Sequence, residues 1–450
     1  MSKNLYIDAS HPNETRVVLK NDNHIEDYEY ESINNTLIKN NIYLGKVSRI
    51  EPSLQAAFVD FGRERHGFLS FNDIQSDYYQ IPSSDLDKIK KEEEELREEL
   101  AKKSEEEDIS IKENELSSND IEKEKITEIE NQNISVPNKS KIPSKRYKIQ
   151  EVIKPNQVIL VQVLKDERGL KGAALTTFIS IAGKYIVLMP NTPKGGGISR
   201  KIFNFGERKK IRLILNEIKI PKEMGLIVRT AGSNKTKNDI EYDLNSLLES
   251  WNKIKETAMN SIAPSLIHQE SDIIKRTLRD IYDDETKNII IQGNDGYQKA
   301  KNFMKILMPK NVKKIKKYRD KQPLFIKEKI EEKLNEIYDT QVKLNSGGYL
   351  VINPTEALVS IDINSGKSIR QKNVESTALD TNLEAADEIS RQIKIRDLSG
   401  LIIIDFIDMM NFGNRKQVER KLKERCRKDR ARVQIGRISS FGLLEMSRQR

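Results

Sequence analysis

Apolar residues recur at two periods along this chain, and the switches between them divide it. Over the first ~35 residues Leu5 and Ile7, then Val17 and Leu19, alternate with Asn, Asp and His, which predicts two short strands in a hairpin. From Ile42 the run IYLGKVSRIEPSLQAAFVDFGRERHGFLSFNDI sets β-rich segments between Glu51-Pro52-Ser53 and Gly62–Gly67. That is the pattern of consecutive antiparallel strands in a small barrel. At residue 83 the alternation stops. Residues 83–144 hold KKEEEELREELAKKSEEEDIS and a Ser/Asn/Pro-rich tail, with few large apolar side chains. Such a stretch cannot bury enough to offset its ordering entropy, so it is expected to be mostly disordered, with a transient helix near 86–107. Alternation resumes in VILVQVLKD and KGAALTTF, so the barrel is interrupted at residue 82, not finished there.

Residues 178–230 carry two short apolar runs, YIVLMP and MGLIVRT, around the Gly/Pro loop Asn191–Gly197. Between 240 and 280 the period becomes helical: Leu244, Leu247, Leu248, Trp251 and Ile254 share one face, with Trp251 as a core anchor. Further helices are predicted at 297–308 and 324–338, and a basic helix at 415–432. Residues 341–410 read strand, strand, helix, strand. In ALVSIDINS, Leu358, Ser360, Asp362 and Asn364 fall on one face of a strand, so Asp362 and Asn364 project together at its end. In LIIIDFIDM, four apolar residues run into Asp405, which predicts a central strand buried on both faces. Between them Leu379, Leu383, Ala386 and Ile393 share a helical face, and Gly400 is a natural stop. This crossover can lay two strands side by side and bring Asp362 and Asp405 together at strand ends, where open sheets place ligands.

Two carboxylates so placed form a hard-oxygen site of the kind Mg²⁺ occupies, with most of its waters retained. Such an ion polarises a phosphate and activates a water, and Asn364 could orient that water or a carboxylate. Each aspartate alone reads more readily as a cap or turn residue, the pair makes the better ligand set, and Asp408 is a rival ligand or a solvent-facing residue. Composition sharpens the choice of partner. The 450 residues are 36% hydrophobic and 33% charged, with a formal net charge of +9. Residues 83–131 hold 19 acidic against 9 basic side chains, a net of −10, so the rest carries +19. A body that basic suits a polyanion, although lysine-rich surfaces also serve solubility alone. Cys426 is the only cysteine, which excludes an intrachain disulfide and a cysteine metal cage; it is expected on a helix, with no chemistry assigned. The four histidines (His11, His24, His66, His268) form no zinc-protease or serine-hydrolase pattern. No apolar run reaches the ~18 residues of a spanning helix, so a cytoplasmic protein is expected, with peripheral attachment at the inner membrane as the alternative.

The stretches LNSGGYLVINPTEALVSIDINSG, TNLEAADEISRQ, LSGLIIIDFIDMM and RISSFGLLEMSRQR closely resemble the ribonuclease E/G family. So do IEPSLQAAFVDFGRERHGFL, KGAALTTFISIAGKYIVLMP, MGLIVRTAG and SLIHQES, and the resemblance spans nearly the whole chain except 83–144. RERHGFL and ALTTFIS are more similar to the E branch than to the G branch. The resemblance implies Mg²⁺-dependent endonucleolytic cleavage of single-stranded, A/U-rich RNA, leaving 5′-phosphate and 3′-hydroxyl ends. It implies stimulation by a 5′-monophosphate and roles in rRNA and tRNA processing and mRNA decay. The family's metal aspartates and asparagine match Asp362, Asp405 and Asn364. Its RNA-contacting aromatics match Phe58 and Phe68, and a basic contact matches Lys171. Its 5′-phosphate pocket matches Arg229, Thr230, Gly183, Val187 and Arg200.

The implied fold is mixed α+β and multidomain, with an S1 (OB-fold) β-barrel inserted among RNase H-like, 5′-sensor and DNase I-like α/β subdomains. Residues 1–36 with 275–337 match the RNase H-like part, and 37–177 the S1 domain with its acidic insertion 83–144. Residues 178–274 match the 5′-sensor and 338–450 the DNase I-like part. In the family a Cys-Pro-x-Cys Zn²⁺ link and a dimerisation domain follow, building homodimers and tetramers; these 450 residues stop before either and lack the zinc cysteines. The zinc-linked tetramer is therefore not expected from these residues alone, and partners in an RNA-degradation complex are left open. The acidic insertion is expected not to touch RNA, because like charges repel. Two alternatives stand beside the nuclease: a non-catalytic S1-type RNA-binding module, and a DNA nuclease, since two aspartates and Mg²⁺ do not choose the sugar.

Overall fold

A computed structural model describes residues 3–22, 24–32, 38–92, 95, 147–167, 171–192, 197–199, 201–202, 204–218, 221, 224–270, 272–366, 374–427 and 429–449. The chain divides into two compact units, Met1–Asn35 with Ile273–Arg450, and Thr36–Asp272. The first unit opens with an antiparallel meander of β1 (Lys3–Asp8), β2 (Glu14–Asn21) and β3 (His24–Ser32). The sequence predicted only two strands here. The third, HIEDYEYES, buries little besides Ile25 and Asp27, so its alternation is carried by one apolar side chain and a carboxylate, the latter paired with Lys394 at 2.9 Å.

The second unit begins with the barrel: β4 (Ile42–Glu51), β5 (Ala56–Asp60), β6 (Gly67–Ser70), α1 (Ile149–Val152), β7 (Val158–Lys165) and β8 (Ala174–Thr176). Its strand order is β4-β5-β6-β8-β7, and β7 pairs back onto β4 to close it. Closure leaves open only the first residues of β4, before its pairing with β5 begins at Lys46. Val47, Val59, Leu69, Val161 and Leu175 fill the interior. All neighbours are antiparallel except β6 and β8, which run parallel, a departure from the expected all-antiparallel order. Of the acidic stretch only residues 83–92 and 95 are described, and 83–92 are helical. The expected disorder over 83–144 otherwise lies outside the described residues.

A four-stranded sheet follows, built from β9 (Ile181–Ala182), β10 (Ile186–Met189), β11 (Gly197–Ile198) and β12 (Gly225–Val228) in the order β11-β12-β10-β9. Helix α2 (Phe205–Glu217) lies between β11 and β12 in sequence. Helix α3 (Lys237–Asn260) starts at a reciprocal cap between Thr236 and Asp239, and its buried face carries Leu244, Leu247, Trp251 and Ile254. The helical pattern from 240 to 280 is not continuous. Pro264 cannot extend a helix, and β13 (Ser265–His268) instead pairs with β4 as a sixth strand on the barrel sheet.

The chain returns to the first unit through α4 (Ile273–Asp280), β14 (Asn288–Gln292), α5 (Asn294–Leu307) and β15 (Ile315–Lys317). Strands β14 and β15 add in parallel beside β1, giving the order β15-β14-β1-β2-β3. The helix predicted over 324–338 is split into α6 (Leu324–Lys327) and α7 (Ile330–Asn335) by Lys329 at φ +52°. The last sheet contains β16 (Gln341–Lys343), β17 (Tyr349–Pro354), β18 (Val359–Asn364), β19 (Gly400–Asp405), β20 (Arg432–Ile438) and β21 (Leu443–Gln449). Its order is β16-β17-β18-β19-β21-β20, with β18 and β19 parallel across the crossover helix α8 (Val374–Ile395). Helix α9 (Phe412–Cys426) ends earlier than the predicted 432, and its last residue, Cys426, is buried. Ala385, Ile389, Val418 and Leu422 of the two helices join Ile361 and Ile404 of the sheet in one core. Strand β19 is central, but it is not buried on both faces. Ile402 and Ile404 are covered, whereas Leu401 stays 44% exposed and Asp405 is open to solvent.

Candidate active site

The open face of β18 and β19 is where the two aspartates meet. Alternation buries Ile361 and Ile363 of β18 and turns Ser360, Asp362 and Asn364 the other way. Ile402 and Ile404 do the same for β19, leaving Asp405 on the uncovered side. In the parallel register Asp362 is the direct partner of Asp405, so their side chains stand on one face of strands about 4.8 Å apart. Asn364 donates from Nδ2 to Oδ2 of Asp362 at 2.8 Å, which orients that carboxylate. Partial burial raises the Asp405 carboxyl above its ordinary range, and the charges of Asp362 and Asp408 raise it further. Asp408 therefore stands close to the pair. A Cβ placed on Gly442 would lie 3.2 Å from Asp408 Oδ1 and 3.8 Å from Asp405 Oδ1. Gly442 holds φ +80° in the β20–β21 turn, a conformation that glycine adopts at no steric cost.

Two residues outside the sequence-predicted site hold this loop. Asn382, fully buried in α8, donates to the Ile407 carbonyl at 2.8 Å and accepts from the Ile407 N–H at 3.1 Å. Glu375 accepts from the Met410 and Asn411 N–H groups, both at 3.1 Å, and from Asn414 Nδ2 at 2.8 Å. These contacts, with the Asn414 side chain first, lower the Glu375 carboxyl below its usual range. The sequence did hold a signal for Asn382. It sits on the apolar face of α8 beside Ala378, Ala385 and Ala386, and an amide there needs a buried partner.

The donor set fits a hard divalent cation. Among the described residues no group of three or more His, Cys, Asp and Glu side chains forms a metal cage. The residues instead offer two register-paired carboxylates with only oxygen donors, whose mutual repulsion a cation would relieve. One or two carboxylates is what Mg²⁺ takes from a protein.

The second unit carries the other predicted residues in two places. Arg229 directly follows β12; its Nη1 donates to the Gly183 carbonyl at 2.7 Å, and its N–H to the Tyr185 carbonyl at 2.8 Å. Val187 sits in β10 opposite Ile227, half-buried, and Thr230 is exposed at the start of a short 3₁₀ turn. Beneath the Gly183 loop lies buried Asp243, whose carboxylate accepts from the N–H groups of Lys184, Tyr185 and Ile186 at 3.3, 2.8 and 3.2 Å. Burial raises this carboxyl; the three amides and Arg229 oppose the rise without cancelling it. A Cβ on Gly183 would lie 2.6 Å from Asp243 Oδ2, so the close approach requires glycine. Arg200 lies outside the described residues. On the barrel, Phe58 and Phe68 are cross-strand partners with ring centroids 6.1 Å apart at 75°. Arg49, unremarked in the sequence, sets its guanidinium 4.8 Å from the Phe58 ring. Lys171 is exposed next to Gly172, which lies against the His66 carbonyl.

Comparison with known proteins gives this geometry a context. The family model described as "Ribonuclease E/G family" matches residues 180–450. The ribonuclease E of Haemophilus influenzae is 41% identical over 448 residues, covering 100% of this chain and 42% of that protein. The ribonuclease E of Escherichia coli K12 is 41% identical over 449 residues, covering 100% of this chain and 37% of that protein. A putative ribonuclease E of Buchnera aphidicola subsp. Baizongia pistaciae is 38% identical, covering 99% of this chain and 95% of that protein. The chain thus spans about two fifths of the length of the first two relatives.

Proposed function

This chain belongs to the ribonuclease E/G family, on its E-like side, and on that premise we propose that it is an endoribonuclease cutting single-stranded RNA with Mg²⁺ held by Asp362 and Asp405. The observation that carries the reading is the register pairing of those two aspartates on the open face of β18 and β19. When bound, the ion supplies charge neutralisation at the scissile phosphate and a water of lowered pKa. The chain's own residues do the rest. Asn364 fixes the orientation of Asp362 through its 2.8 Å hydrogen bond. Asn382 and Glu375 hold the loop after Asp405, so the carboxylates meet substrate already positioned.

Phe58 and Phe68, with Arg49 over one ring, offer stacking faces and a cation to unpaired bases, and Lys171 adds a phosphate contact. Arg229 and the Thr230 hydroxyl grip a 5′-monophosphate, with the backbone at Gly183 and Val187 lining the terminal nucleotide and Arg200 as a further cation. In this reading the barrel is the S1 domain, 178–274 the 5′-sensor, the β15-to-β3 sheet with its helices the RNase H-like part, and 338–450 the DNase I-like part. A/U-rich RNA is the substrate, and rRNA and tRNA processing and mRNA decay are the roles. Assembly into homo-oligomers and RNA-degradation complexes, and action in the cytoplasm, belong to the same proposal. Among the described residues no helix is long and apolar enough to cross a membrane.

The test is cleavage of a 5′-monophosphorylated, A/U-rich single-stranded RNA in Mg²⁺ by wild type, Asp362→Asn, Asp405→Asn and Asn364→Ala. Wild type should cut internally; both aspartate variants should bind RNA without cutting; Asn364→Ala should lose about 10–100-fold. Mg²⁺ should raise the Tm of wild type but not of Asp405→Asn. RNA binding by wild type with neither cleavage nor a Mg²⁺-dependent Tm shift would instead identify a binding module.

A further inference from the structure

Beside Asp405 the fold leaves a small cleft of about 20 Å³, walled by Asp408, Arg415, Ser439 and Gly442 among others. That volume holds roughly one oxygen-sized group. Its two charged walls are complementary. Arg415 can only donate, and its Nε is buried with no hydrogen-bond partner. Asp408, ionised, can only accept. The walls are held in place. Asn382 and Glu375 tie the loop carrying Asp408 to α8, and the Ser439 hydroxyl accepts from the N–H groups of Phe441 and Leu443 at 3.2 and 3.3 Å to shape the opposite turn.

Each charged occupant leaves one wall unsatisfied. A phosphate oxygen would pair with Arg415 but face the charge of Asp408. A cation would suit Asp408 and repel Arg415. A hydroxyl satisfies both, accepting from the Arg415 guanidinium and donating to the carboxylate; water does the same, and a ligand hydroxyl would replace it. Single-stranded RNA presents one such group per nucleotide, the ribose 2′-hydroxyl, and DNA presents none. We infer that the Asp408–Arg415 cleft reads a ribose 2′-hydroxyl next to the cut and makes this chain selective for RNA over DNA. The inference rests on the reading of Asp362 and Asp405 as the cutting site. It supplies what that pair lacks, because two carboxylates and Mg²⁺ do not distinguish the sugars.

The experiment is a double-mutant cycle between protein and substrate. Wild type and Arg415→Lys, which keeps the charge but lacks the Nε donor, are given an A/U-rich single-stranded RNA. They are also given versions with one 2′-deoxy substitution at each position around the cut. Cleavage is measured in Mg²⁺, and affinity is measured in the Asp362→Asn background. At one position the deoxy substitution should weaken wild type about tenfold. Arg415→Lys should lose a similar factor on all-RNA and show no further loss at that position, and Asp408→Asn should behave alike. The inference is overturned if no single position is sensitive, or if Arg415→Lys keeps the full deoxy penalty. Should wild type fail to cut at all, the nuclease reading fails, while the affinity cycle still decides the hydroxyl.

Discussion

Asn382 has the helical position of a core residue and the chemistry of a connector. Its amide satisfies both polar groups of Ile407, inside a core of alanines and isoleucines. Asn382→Ala should cost about 1–3 kcal/mol, because it removes both hydrogen bonds to the partly buried Ile407 backbone. A lowered urea midpoint, together with a smaller Mg²⁺-induced rise in Tm, would check this, since the loop it holds carries Asp408. Arg448 poses a purer electrostatic case. It is 5% exposed and donates from Nε to Asp429 and from Nη1 to Asp397, both at 2.7 Å. Burial works against the Asp429 charge, but the Arg448 hydrogen bond and the Ala431 N–H outweigh it and hold the carboxyl below its usual range. A carboxyl lowered by folding adds stability above its unfolded pKa, about 3.9, and loses that contribution as pH falls through the folded value. Arg448→Met should cost about 3–5 kcal/mol near neutrality by removing the guanidinium that balances the buried Asp429 charge. Urea midpoints measured from neutrality down past the unfolded value should show a smaller loss with acid than in wild type.

At the scale of elements, the parallel pairing of β18 and β19 across α8 was legible in the sequence. Period-two runs flank a period-3.6 run there, and one short crossover joins them. The same logic misjudged the environment of β19. Four consecutive apolar residues suggested two covered faces, but the helices cover only one. Ile404→Ala should therefore cost about 2–5 kcal/mol by opening a core cavity, and Leu401→Ala within about 0.5 kcal/mol, in paired denaturation curves. The C-terminal hairpin was missed for a different reason. Basic residues continue past Cys426 to Arg432 and extend the helical charge pattern, whereas the free edge of β19 is what makes 432–449 extend as strands.

At the scale of the molecule, the two units divide the proposed labour. The barrel and the Arg229 loop lie in residues 36–272, and Asp362 and Asp405 lie in the other unit. Residues 36–272 expressed alone should bind single-stranded RNA and fail to cut it. That affinity should fall with salt, by about 0.7 logarithmic units per tenfold salt for each phosphate neutralised. Salt-independent binding, or cleavage by this piece, would overturn the division.

Local pattern alone determined the presence of a barrel, the acidic interruption within it, and the strand–helix–strand unit that sets Asp362 beside Asp405. Those features follow from the alternation of apolar side chains and the abrupt change to charged residues at 83, which neighbouring residues express by themselves. Tertiary structure alone decided that Asp405 is open, that β6 and β8 run parallel, that Asn382 clamps Ile407, and that Arg415 and Asp408 line one cleft. Each of these depends on which element covers a face or finishes a hydrogen bond from far along the chain, and no local period encodes that choice.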